Sequence, residues 1–130
     1  MQALPPDPCV ELLLAQAHRL GVEVRWLPAV SGGSPEGNYV AQPGRPGLLQ
    51  LRTTEPAPPA AALCRLVTHE MVHVLQHWQG QLKAVLPLGW PIDGQAATGR
   101  TLSRHEAEAF TAQEQPERVL RALQRLQPLP

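Results

Sequence analysis

The amino-acid sequence predicts an α+β fold in which one helix leads into a small three-stranded sheet and the remaining helices follow it. Three observations point there. Hydrophobic residues recur at helical spacing over residues 7–20, 58–79, 102–114 and 116–127, and at every second position over 22–27 and 48–52. The fifteen prolines and ten glycines cluster between those segments rather than inside them. The 130 residues suffice for one core and are few for two, so a single domain over 1–130 is expected.

Each element has its own signal. In the first helix, 7–20, Val10, Leu13, Leu14, Ala17 and Leu20 share a face, and Gly21 ends it. The stretch 22–27, VEVRWL, alternates Val22, Val24 and Trp26 as a strand does, and SGGSPEG then turns the chain. NYVAQ (38–42) and LLQLR (48–52), separated by PGRPG, read as two more strands. The proline-rich 55–62 leads into one long helix over 58–79 that stops at Gly80. An apolar loop, LKAVLPLGWPIDG, and the polar QAATGRT come next. A helix over 102–114 and a last one opened by Pro116, PERVLRALQRLQ, close the chain.

Charge and cysteine content exclude several classes. Eleven basic and eleven acidic residues leave no net charge, which gives no footing for a nucleic acid or an anionic membrane. No apolar run reaches the ~18 residues of a membrane span. The amino-terminal segment has no basic region and its apolar stretch is interrupted by Pro5, Pro6, Pro8 and Glu11, so a cytoplasmic location is expected. Cys9 and Cys64 form no C-x-x-C pair and are expected to be free, buried thiols.

The chemistry concentrates in VTHEMVHVLQH, residues 67–77. On a helix, His69 and His73 lie one turn apart on one face, where both imidazoles can reach a single metal ion, while Glu70 sits about 100 degrees away. This is H-E-x-x-H, in which two histidines bind zinc and the glutamate takes a proton from the zinc-bound water. An accidental match would have to bury Glu70 without a partner, at a cost of several kcal/mol. His77 continues the row but stands about 12 Å from His69 along the axis, too far to share one ion, and is expected to pack or hydrogen-bond at the rim.

A catalytic zinc takes three protein ligands. A metzincin arrangement fails, because Gln76 and Gln79 stand at its glycine and third-histidine positions. The remaining candidates are His105, Glu106 and Glu108 in SRHEAEAF. Leu102, Glu106, Ala109, Phe110 and Gln113 share a helical stripe, which turns Glu106 inward and leaves Glu108 on the opposite face with Arg104, Thr111 and Gln115. Two readings of Glu106 stand: a third metal ligand, or the distal half of an S-x-x-E capping box with Ser103.

His69-Glu70-x-x-His73 followed by Glu106-x-x-Ala109 resembles the gluzincin metallopeptidases, in particular their short minigluzincin cores, over about residues 10–115. The resemblance implies a zincin-like minimal fold, with an N-terminal helix, a small sheet with an exposed edge strand, the H-E-x-x-H helix and a ligand-bearing helix, here followed by a tail helix. It further implies Zn2+ held by His69, His73 and Glu106, with Glu70 as general base. Many gluzincins place an aspartate four residues after the ligand glutamate to orient a histidine, and this chain has Phe110 there.

The expected activity is zinc-dependent hydrolysis of a peptide or protein substrate laid along an edge strand, for which 48–52 is the candidate. Trp90 is a candidate cleft wall and Tyr39 a candidate oxyanion donor, with core packing the alternative for Trp90. Two rival readings remain: a catalytically silent zinc-binding interaction domain with a zincin-like fold, and a metal-free helical interaction module.

Overall fold

The computed structural model describes residues 6–93 and 102–130. Seven elements follow in the order α1 (Pro6–Arg19), β1 (Glu23–Ser31), β2 (Glu36–Val40), β3 (Leu48–Glu55), α2 (Ala60–Gln79), α3 (Arg104–Ala112) and α4 (Pro116–Gln124). The fold is a small α+β arrangement of four helices and a three-stranded mixed sheet among the described residues. QAATGRT, expected to be a polar loop, lies outside them.

Helix α1 buries Cys9, Leu13 and Ala17, and Leu20 is buried just after it, while Val10 and Leu14 of the expected face are half-buried against the same core. It ends in a Schellman motif: Val22 N–H reaches Ala17 O at 2.8 Å and Gly21 N–H reaches His18 O at 3.1 Å, with Gly21 at φ +83°. Gly80, which ends α2, works differently. Its φ of −85° suits any residue, but an added Cβ would run into the backbone of Ala84 as the next loop doubles back.

The sheet order is β1-β3-β2, with β1 parallel and β2 antiparallel to β3. The expectation that 48–52 forms an edge is therefore overturned. A chain that runs from β1 through an outer hairpin strand puts its third strand in the middle, and the fully buried Leu49 and Leu51 fit that place. Their alternation with the half-buried Gln50 and Arg52 is as expected. Burial fades along β1: Val22 just before it is buried, Val24 is half-buried and Trp26 is 48 % exposed, although Trp26 is in register with Leu51. The helices cover only the start of that strand.

Helix α2 is the hub. It packs against α1, β2, α3 and α4, and the run from Val67 to His77 is buried at every residue but His73. Cys64 on α2 faces Cys9 on α1, and the two form a disulfide with Cα atoms 5.7 Å apart. The expectation of two free thiols is thus overturned: a separation of 55 residues says nothing about pairing until two helical faces meet. Val119 and Leu123 bring α4 onto the same core, and Arg19 clamps its end by donating to Leu123 O and Leu126 O. No described helix is long and apolar enough to cross a membrane.

Candidate metal centre

Helix α2 presents His69 and His73 side by side, with ring centroids 5.2 Å apart. Helix α3 brings Glu106 across to them. Its Oε1 lies 3.3 Å from His69 Nε2 and 2.9 Å from His73 Nε2. Ser103 does cap α3, accepting from Glu106 N–H at 3.4 Å, but the Glu106 side chain turns to the histidines and does not complete the box. The capping box is thus only half formed, with the Glu106 backbone in the cap and its carboxylate in the histidine cluster.

The donor set fits a cation. Glu106 Oε1 is buried and accepts no hydrogen bond among the described residues, despite its closeness to the two Nε2 atoms. A buried acceptor without a donor is costly, and a cation held by His69, His73 and Glu106 would remove the cost. Ligand atoms of His69, His73 and Glu106 all lie within 4.8 Å of one another, and no other described group of three such residues does so.

Both imidazoles are tied on their far sides. His69 Nδ1 meets Gln113 Oε1 at 2.9 Å and His73 Nδ1 meets Gln76 Oε1 at 2.7 Å. An Nδ1–H donated to each amide oxygen leaves each Nε2 with its lone pair toward Glu106. Phe110 stands in place of an orienting carboxylate and instead packs edge-on against the His69 ring, with centroids 4.6 Å apart. Burial, and then the neighbouring His73, holds the His69 imidazole below its ordinary 6.5, which favours the neutral, ligating form.

Glu70 is buried, 6 % exposed, beside the cluster. Burial and then the Glu106 carboxylate push its acid up to about 8, while the Tyr39 backbone N–H pulls the other way. Glu70, His69, His73, His105, Glu106 and Val85 line a cleft of about 260 Å³ whose other side is Gly37, Asn38 and Tyr39 of β2. A more apolar recess of about 600 Å³ continues past His69 and Glu70 to Leu66 and Phe110.

The other candidates have different places. Tyr39 donates its hydroxyl to Pro46 O, so that group is committed to the loop and is not free as an oxyanion donor; burial pushes its phenol up. His77 is buried rather than at the rim, and its Nε2 bonds Gln42 O and Arg45 O at 3.2 and 2.8 Å. Trp90 packs toward the core with Arg118 4.3 Å from its ring centre and does not line the cleft. His105 does line it, with its ring 5.9 Å from that of His73.

Glu108 departs most from expectation. Instead of facing solvent it is fully buried, because residues 88–90 fold over that side of α3. Gln76, Gln113 and Glu108 are the residues that sequence reasoning missed as partners of the cluster. The signal for the two glutamines was their phase: Gln76 follows His73 by three residues and Gln113 shares the Glu106 stripe.

No protein-family model matches the sequence, no curated protein is significantly similar to it, and no solved structure matches its fold.

Proposed function

We propose that the chain is a small zinc-dependent metallopeptidase of gluzincin type, with a zincin-like core. One observation carries the reading: the Nε2 atoms of His69 and His73 and the donor-less Glu106 Oε1 converge in a cleft that also holds Glu70. Zinc is the first choice of metal because a two-imidazole, one-carboxylate set is a usual catalytic zinc set. When bound, the ion supplies a Lewis acid and a water acidified to near neutrality.

The chain supplies the rest. His69 and His73, steadied by Gln113 and Gln76, and Glu106 hold the ion. Glu70 takes the proton from the attacking water and delivers it to the leaving amine, a task suited to an acid poised near the working pH. The substrate lies extended along β2, whose Gly37, Asn38 and Tyr39 form the cleft wall, in place of the central β3. The adjoining apolar recess with Leu66 and Phe110 takes a substrate side chain.

The test joins metal content to turnover. The purified protein should carry about one zinc per chain, lost in His73→Ala and in Glu106→Gln, and should cleave members of a peptide library. Glu70→Gln should keep the zinc and lose cleavage. Zinc without cleavage in the unmodified chain would leave the silent zinc-binding domain. No zinc uptake at all would end both.

A further inference from the structure

We infer that Gln76 and Glu108 form a positioning relay that fixes which nitrogen of His73 carries the proton, and so presents Nε2 to the cleft. The observation is a chain of bonds in which every partner's polarity is dictated. Glu108 is fully buried, and its Oε2 accepts the N–H groups of Gly89 and Trp90 at 2.6 and 2.9 Å. Its Oε1 accepts Leu88 N–H at 2.8 Å and Gln76 Nε2 at 3.0 Å. Gln76 Nε2 also donates to His105 O at 2.9 Å.

Two acceptors therefore face one end of the Gln76 amide. Only the NH2 end can stand there, so the amide cannot turn over and its oxygen must face His73 Nδ1, 2.7 Å away. An oxygen there requires a proton on Nδ1. The ring then has its Nε2 directed at Glu106, as a ligating imidazole needs.

The second histidine is not held in this way. Gln113 is half-buried near the apolar recess and bonds His69 Nδ1, and among the described residues its NH2 end has no second partner to fix its orientation. Among the described residues the anchored relay is specific to His73. It also ties the ligand to the 88–90 segment, which Glu108 holds by three backbone bonds.

The consequence for metal affinity rests on the proposed zinc site; the proton's location does not. The experiment uses the full chain and two variants. Gln76→Met removes the amide while leaving Glu108 its three backbone donors. Glu108→Gln places an NH2 group among donors and leaves His105 O as the sole acceptor holding the Gln76 amide in its orientation. Ring-nitrogen NMR of the metal-free protein reads the His73 proton, chelator competition reads zinc affinity, and the visible spectrum of the cobalt-loaded protein reads ligand geometry. Thermal unfolding monitors the fold.

In the unmodified chain His73 should show a protected Nδ1–H signal. That signal should be lost in Gln76→Met and weakened in folded Glu108→Gln, with zinc affinity lower by about 10–100-fold in Gln76→Met and a shifted cobalt spectrum. A merely structural role would lower the unfolding temperature and leave the His73 signals in place. An unprotonated His73 Nδ1 in the unmodified chain, or one unchanged in Gln76→Met, overturns the inference. Should Glu108→Gln not fold, Gln76→Met decides it. Should the unmodified chain take up no zinc, the proposed function falls, and the NMR signal still decides the relay.

Discussion

Replacing Glu70 by glutamine in the metal-free protein should stabilise it, by an amount that grows with pH. The native environment raises this acid from 4.5 to about 8, first through burial and then through Glu106. A carboxyl raised in the folded state is protonated in both states below pH 4.5, so it contributes no penalty there. Between pH 4.5 and about 8 the unfolded chain ionises and the native one does not, and stability falls as pH rises. At about 1.4 kcal/mol per pH unit the full displacement corresponds to about 5 kcal/mol, which water in the open cleft reduces to about 3 kcal/mol. Glutamine keeps the shape and an oxygen for the Tyr39 N–H but cannot ionise. Urea unfolding of both chains in a chelator should therefore show a difference near zero at pH 4 and about 3 kcal/mol in favour of Glu70→Gln at pH 8. Adding zinc at pH 8 should narrow that gap, because a cation nearby favours the carboxylate. A difference that does not change with pH, or a glutamine variant less stable at pH 8, would refute the reasoning.

Other perturbations separate scaffold from site. Removing the crosslink with Cys9→Ser and Cys64→Ser should cost about 4 kcal/mol, the loop entropy of a 55-residue closure, read by urea unfolding. Tyr39→Phe leaves the Pro46 carbonyl without its donor and should cost about 1–2 kcal/mol of stability, while any peptide hydrolysis stays within about twofold. Gly80→Ala forces the Ala84 backbone away and should cost more than the ~1 kcal/mol gained from helix propensity, giving a lower unfolding temperature.

What could be read from sequence alone was whatever depends on local period. The phase of α1, the alternation at Leu49 and Leu51, the shared face of His69 and His73 and the inward turn of Glu106 all follow from 3.6- and 2-residue repeats. What could not be read depends on segments meeting across the fold. Glu108 lies opposite Glu106 on its helix, and only the arrival of Leu88, Gly89 and Trp90 turns an outward carboxylate into a buried one. Cys9 and Cys64 each carry a helical phase, but their union needs the α1–α2 contact. Strand order failed for the same reason: alternation tells which side chains turn inward and nothing about which strand is flanked on both sides.

The disulfide has a topological consequence. It closes residues 9–64 into a covalent ring that contains all three strands, and everything after Cys64 is an open arm leaving that ring. His69 and His73 stand at the root of the arm and Glu106 far along it, after the chain has turned back. An ion shared by the three would be a second clasp, closing a lesser ring from residue 69 to 106. The first clasp answers to thiols; the second, were an ion bound there, would answer to chelators, and both would be anchored on α2.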